Sequence, residues 1–331
     1  MSDMDDLKAL LQACETTILD DGDDGSDPAD AHVPSPVDEH VHISVIPEHY
    51  RLPEHKRKNT PDPYASVRRL EHPLLVHEPG NVRAHIQTVE QACPHALNAI
   101  QAMAQADLKR LEWGMRGNAQ PVLLVGPPGS GKSTVARLYY RTLGYEVMTM
   151  NVGAMPDSLA LTGTHQTFGD AKPSVIVECL AMTGMANPCI ILDEVDKPPK
   201  DGRHGSVQDA LLSFLDMREA REFRDFFLNV PVDVSHIRWV LTANDISKVT
   251  EPLKSRCQII HVDRPGASHL PALALNILRQ IEQDRNLRPG WFGLDGIEMD
   301  LLRQHFSGDM RTLRRMVEIV VDQQVKRCPT C

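Results

Sequence analysis

One stretch limits the folds open to this chain more than any other. The apolar run PVLLV (121–125) is followed at once by Gly126, Pro127, Pro128, Gly129, Ser130, Gly131, Lys132 and Ser133. These residues meet the spacing GxxxxGK[ST] at every fixed position, and residues 133–143 continue in a helical pattern. A buried strand, a glycine-rich turn and a helix, in that order, form a phosphate cradle. Glycines let the backbone curl until successive N–H groups converge, and the helix N-terminus adds the positive end of its dipole. The pattern predicts a nucleoside triphosphate site. Lys132 reaches the β- and γ-phosphates, Ser133 places its hydroxyl on Mg²⁺, and Thr134 stands beside them in the same first turn.

The surrounding sequence repeats the strand–helix alternation. Strands are expected at 121–126, 145–151, 189–194, 237–244 and 258–262, with helices at 133–143, 173–182 and 207–215 between them and another at 94–113 before them. Such alternation implies an α/β fold, a parallel sheet covered by helices on both faces. After Pro265 the pattern is helical throughout, at 270–283, 298–305 and 310–325, which predicts a small all-helical lid. The expected organisation is therefore an acidic, then Pro/His-rich tail and linker over 1–63, largely without fixed structure, an α/β nucleotide-binding domain over 64–263, and the lid over 264–331.

Charge supports that division. Residues 1–30 hold ten acidic residues and one lysine, −9 of the chain's formal −10, so the body is close to neutral. A neutral body gives no electrostatic case for a dedicated nucleic-acid binder. His32, His40, His42, His49 and His55 lie among prolines at spacings that suit no compact metal site. Seven cysteines are scattered, several in apolar runs, as in a reducing compartment. Cys328 and Cys331 form a single CxxC with no second pair to complete a structural zinc site. No run approaches the length of a membrane helix and the N-terminus lacks a secretory pattern, so the cytoplasm is the expected compartment.

Four further positions carry chemistry. Asp193 and Glu194 end the strand CIIL, where two adjacent acids would be costly if buried without partners. Beside a phosphate cradle they acquire roles: Asp193 holds Mg²⁺ in part through its water shell, and Glu194 polarises the attacking water. Asp196 and Lys197 read as a solvated turn. Asn244, ending the strand IRWVLTA, is placed to reach the γ-phosphate and the water. Arg256, in EPLKSRC, is either an exposed surface arginine or a cation offered to a neighbouring subunit's nucleotide. Arg311 opens the last helix, with Arg314 and Arg315 as competitors for a contact from the lid.

These motifs, in this order, resemble the AAA+ superfamily and, more narrowly, the ATPase module of Lon-type proteases. GPPGSGKS matches its Walker A motif and ANPCIILDEVDK (186–197) its Walker B segment. Residues 210–247 are similar to the stretch that runs to sensor 1, TEPLKSRCQIIHV (250–262) to the arginine-finger segment, and GDMRTLRRMVEIV to the sensor 2 helix. The likeness covers about residues 94–327. It implies ATP with Mg²⁺, Arg256 as the arginine finger, Arg311 as sensor 2, and a homo-oligomer in the form of a hexameric ring. LTGTHQTFGDAKPS (161–174) resembles the loop that grips polypeptide in the central channel, with Phe168 and Gly169 at the aromatic–glycine pair, where the family more usually has Tyr. The Ser–Lys peptidase domain and the long N-terminal region of that family have no counterpart here, so cleavage of peptide bonds is not expected. The resemblance thus implies an ATP-driven ring that remodels, unfolds or translocates a protein. Two other readings stand beside it: an ATP-gated scaffold that recruits a partner through its acidic tail, and, with less support, a nucleic-acid motor.

Overall fold

Strands that are apolar on both faces can be stabilised only between two layers of helix, and this chain supplies both layers. The computed structural model describes residues 41–55, 61–112, 120–155, 158–167, 171–197 and 206–327. In chain order these form β1 (Val41–Ile43), β2 (Leu74–Val76), α1 (Val82–Ala92), α2 (Leu97–Glu112), β3 (Val122–Val125), α3 (Lys132–Thr142), β4 (Val147–Asn151), α4 (Leu159–Thr162), α5 (Val175–Thr183) and β5 (Cys189–Asp193). The chain continues through α6 (Val207–Leu215), α7 (Met217–Arg221), β6 (Phe223–Arg224), β7 (Pro231–Val232), β8 (Arg238–Ala243), α8 (Glu251–Arg256), β9 (Gln258–His261), α9 (Leu270–Asp284), α10 (Gly296–His305) and α11 (Met310–Arg327).

The central sheet has the strand order β4-β5-β8-β3-β9 and is parallel throughout. Successive residues of each strand face opposite ways, and the two faces carry separate cores. Leu123, Ile190, Leu192 and Leu241 pack with Ile176, Leu180, Leu211 and Phe214 from α5 and α6. Val122, Leu124, Ile191 and Val240 pack with Ile100, Met103, Ala136 and Tyr139 from α2 and α3. A third core holds the last three helices together through Leu273, Ile277, Leu302, Leu313 and Val317. Within it the buried Glu282 carboxylate accepts the N–H groups of Gly290 and Phe292 at 3.0 and 2.9 Å, which fixes the turn after α9. The expected α/β sheet and the helices after it are both present.

One part of the expected linker is different. Residues 41–55 are built into the main core, with Val45, Ile46 and Leu52 buried there. β1 pairs antiparallel with β2, Val41 opposite Val76, and Val45 accepts the N–H of Asp233 at 2.7 Å. The prolines of this stretch are compatible with extended chain, and its few apolar residues are spent on one surface, so low hydrophobicity concealed an ordered segment. Among the described residues no helix is long and apolar enough to cross a membrane.

At the end of the sheet where β8 begins, Arg238 is buried with Asp107 of α2, Nη1 to Oδ1 at 2.5 Å. Tyr139 Oη donates to the other oxygen of Asp107 at 2.9 Å, and the Arg238 guanidinium lies 4.4 Å from the centroid of the Tyr145 ring. These contacts tie α2, α3 and the sheet together at the pole opposite the glycine-rich turn.

Candidate functional site

In an open parallel sheet, ligands are met at the carboxyl ends of the strands, where the order reverses. Here that point is β3, which enters the sheet between β8 and β9 although both follow it in sequence. The turn after β3 is held on both sides: Gly126 N–H donates to Ala243 O at 3.2 Å, and Val262 N–H to Val125 O at 2.8 Å. A side chain at Gly126 would run into the carbonyl of Val262. Gly129 and Gly131 adopt φ of +78° and +87°, the left-handed region that only glycine enters freely. The turn then passes directly into α3.

Lys132 is buried at the base of the turn. Its ammonium donates to Gly126 O at 2.7 Å, to Pro127 O at 3.1 Å and to Asn244 Oδ1 at 2.9 Å. Burial lowers its pKa, and the Asp196 and Asp193 carboxylates oppose that shift. Ser133 Oγ donates to Asp193 Oδ1 at 2.5 Å, and the Thr242 hydroxyl donates to the same oxygen at 2.8 Å. A hydroxyl and a carboxylate oxygen side by side at a helix N-terminus are the donor set that a hard divalent cation accepts.

Glu194 follows Asp193 with a φ of +61°, unusual for a residue with a β-carbon. The turn that holds it is fixed by Glu194 N–H to Thr242 Oγ1 at 3.2 Å and Val195 N–H to Thr242 O at 3.0 Å. Strain of this kind is concentrated at functional positions. The Glu194 carboxylate accepts from Lys197 Nζ at 2.7 Å and from Asn151 Nδ2 at 3.3 Å. The hydrogen bond from Lys197 is the largest influence holding its pKa below the ordinary carboxylate value.

The lid closes one side of the cleft, which Gly129, Gly131, Lys132, Ser133 and Thr134 line together with Asp193, Glu194 and Asn244, and with Arg311 and Arg314 from α11. The two arginines differ. Arg314 is held within the lid by Glu318, Gln280 and Asp284, whereas the charge of Arg311 acts on Lys132 and on Glu194. Arg315 does not line the cleft. Arg256 does not line it either; its Nη1 donates to Pro252 O at 3.1 Å within its own helix. Pro128 O accepts from Arg264 Nη2 at 3.3 Å, and Ser130 O is bonded to His95 Nε2 at 2.9 Å. Phe168 and Gly169 lie outside the described residues, as do Cys328 and Cys331.

Sequence reasoning missed three contributors. Thr242 stood in the TAND run but was passed over for Asn244; its hydroxyl organises both acids. Asn151 ends β4 directly opposite Asp193, and the signal available was a polar residue closing an otherwise apolar strand. The 196–197 turn is not merely solvated: Asp196 is buried and accepts Asp245 N–H at 3.1 Å, while Lys197 meets Glu194.

Residues 122–263, which hold the glycine-rich turn, both acids, Asn244 and Arg256, match the model of the ATPase family associated with various cellular activities (AAA). This segment is an AAA domain. The AAA domain and its flanks are similar to Lon proteases. The mitochondrial Lon protease homologue of Mus musculus is 38% identical over 218 residues, 62% of this chain and 22% of that protein. The Lon protease of Mesomycoplasma hyopneumoniae (strain 232) is 31% identical over 208 residues, 62% of this chain and 24% of that protein. The chain thus spans about a fifth to a quarter of the length of the curated relatives it matches. Among solved structures, a closed-state cryo-EM reconstruction of Hsp104 with ATPγS and FITC casein matches 75% of this chain and 48% of that chain, with a TM-score of 0.59 and 15% identity. At that identity the likeness is one of fold.

Proposed function

We propose that this chain is an ATP-hydrolysing AAA+ subunit with a Lon-like ATPase module, that it works as a ring, taken as hexameric, with copies of itself, and that it remodels, unfolds or translocates a protein without cutting it. Cytoplasmic residence is part of the same reading. The observation that carries the proposal is the meeting of Lys132, Ser133, Asp193, Glu194 and Asn244 at the carboxyl ends of neighbouring parallel strands.

The chemistry follows from those side chains. The N–H groups of the turn and Lys132 receive the phosphate oxygens of ATP. Ser133 and Asp193 hold Mg²⁺, which neutralises charge on the phosphates. Glu194 and Asn244 orient a water whose oxygen bonds the γ-phosphorus as the bond to the bridging oxygen breaks; ADP leaves with that electron pair, and the water's proton passes to Glu194. Arg311 brings a positive charge from the lid. Arg256, which does not line its own cleft, is proposed to complete a neighbour's site, and the segment bearing Phe168 and Gly169 to grip the polypeptide.

The test is ATP hydrolysis by the full chain with and without an unfolded polypeptide. Lys132→Ala removes turnover while the folded far-UV spectrum remains. Phe168→Ala spares hydrolysis and abolishes unfolding of a fluorescent substrate; unchanged unfolding by that variant would count against threading through the ring.

A further inference from the structure

Three successive carbonyls of the glycine-rich turn are each held by a donor from a different part of the chain. Pro128 O accepts from Arg264 Nη2 at 3.3 Å, Gly129 O from the Met310 N–H at 2.8 Å, and Ser130 O from His95 Nε2 at 2.9 Å. In a trans peptide the C=O and the following N–H point in opposite directions. A donor that fixes one residue's carbonyl therefore fixes the N–H of the next. For Ser130 that is the N–H of Gly131, a residue that lines the cleft, whereas His95 does not. Among the described residues the Gly131 N–H has no acceptor.

The three donors differ in what carries them. Arg264 lies on the connection that leads into the lid, and Met310 opens a lid helix. His95 lies in the 3-10 turn Pro94–Ala96, which runs directly into α2, and α2 buries Ile100 and Met103 against the sheet. Pro94 restricts the backbone of that turn, and Cys93 and Ala96 are buried to either side of it. A β-carbon on Gly131 would stand 3.4 Å from His95 Nε2, so the imidazole is packed on the peptide that it holds. A carbonyl oxygen only accepts, so Nε2 carries the proton, and the buried Nδ1, which has no partner, is bare. Burial outweighs the hydrogen bond to Ser130 and lowers the pKa of His95, so the ring is neutral at neutral pH. His95 is thus an uncharged donor anchored to the core of the sheet and not to the lid.

We propose that His95 is a positioning residue for phosphate binding, which holds the Ser130 carbonyl so that the Gly131 N–H stays aimed at a nucleotide phosphate. The inference rests on the reading of the turn as the seat of the nucleotide's phosphates. When the lid moves and takes Met310 with it, the latch from His95 stays, and the nucleotide meets a cradle already part-formed. The alignment serves the bound phosphate and not the attack of water, so its loss weakens binding and spares the chemical step.

The experiment measures dissociation constants of the full chain for ATP and ADP with Mg²⁺ by calorimetry, and kcat at saturating ATP, in His95→Leu, His95→Gln and Lys132→Ala. His95→Leu keeps the bulk and loses the donor. It should bind both nucleotides about five- to tenfold more weakly, the loss of one hydrogen bond, with kcat unchanged. His95→Gln places an amide N–H at comparable reach and should recover wild-type affinity, which loss of packing alone would not allow. Melting temperatures without nucleotide check each fold. If His95→Leu does not fold, His95→Asn, too short to reach Ser130 O, takes its place with the same expected loss. Wild-type affinity in the donor-less variant overturns the latch and leaves the ATPase reading intact, as does a His95→Gln variant no tighter than His95→Leu. A fall in kcat with unchanged dissociation constants also overturns it. Wild-type nucleotide affinity in Lys132→Ala overturns the phosphate cradle itself, and the inference with it.

Discussion

The N–H of Met310, the first residue of α11, donates to the carbonyl oxygen of Gly129 at 2.8 Å. The lid therefore rests on the glycine-rich turn itself, and the Asp309 carboxylate occupies the space where Gly129 would carry a β-carbon. Gly129→Ala is expected to force Asp309 away while holding alanine in a left-handed conformation, at about 1–2 kcal/mol. It should lower the melting temperature and abolish the further rise on adding ATP. Asp309→Ala, which removes the cap on the N–H groups of Arg311 and Thr312, should cost about 1 kcal/mol and keep that rise. Thermal melts with and without nucleotide separate the two.

Arg256 offers a sharper test of assembly. Its absence from the cleft of its own chain suits an arginine that acts on a neighbour's nucleotide. Arg256→Ala and Glu194→Gln should each hydrolyse ATP at least about a hundredfold more slowly than wild type. Mixed after subunit exchange, they should recover activity, because some interfaces then combine an intact Glu194 with an intact Arg256. No recovery from a mixture shown to exchange would place Arg256 outside catalysis.

The buried pair at the opposite pole should matter to stability alone. Asp107 and Arg238 have side chains 5% and 7% exposed. Asp107→Ala leaves the Arg238 charge buried and strips Tyr139 of its acceptor. Breaking such a pair costs about 3–5 kcal/mol, read as a fall in the urea midpoint. The folded fraction should bind ATP with wild-type affinity, since none of these residues lines the cleft.

The four cysteines among the described residues, Cys93, Cys179, Cys189 and Cys257, should be inert in the native state. Burial pushes Cys93, Cys179 and Cys257 each up to about 12, and Cys189 well above the usual thiol value. At pH 8 these groups therefore stay protonated, and the thiolate that alkylating reagents require is scarcely populated. Iodoacetamide at that pH should leave all four unmodified in the folded protein and label all four in denaturant, scored peptide by peptide by mass spectrometry. Labelling of any one in the native state would contradict its burial.

The sheet and the lid were legible because the signals that encode them are local. An apolar run such as CIIL is long enough to name a strand, and the helical period of residues 270–283 is unbroken; the helix found there, Leu270–Asp284, differs by one residue. The glycine-rich turn was legible because its chemistry permits few substitutes. What escaped was long-range or sparse. β1 is three residues long and is defined by a partner 35 positions away, Val76 opposite Val41. The β6–β7 hairpin has two residues on each side, too few for any period to appear. Thr242 and Lys197 acquire their significance only from neighbours that folding brings to them, and the helical pattern by itself left Arg311, Arg314 and Arg315 open, so that Arg311 was chosen by the family resemblance alone.

The strand order has a consequence for biosynthesis. β3 has its hydrogen-bonding neighbours in β8 and β9, Val122 lying opposite Val240 on one side and Gln258 on the other. When the ribosome has made β3, neither partner exists. At about 5–20 residues per second the wait is on the order of ten seconds, during which VLLV is an unpaired apolar edge of the kind that chaperones shield. The nascent chain can first grip a nucleotide only after residue 261 has left the exit tunnel, so ATP cannot help the early stages of its folding and can stabilise only their product.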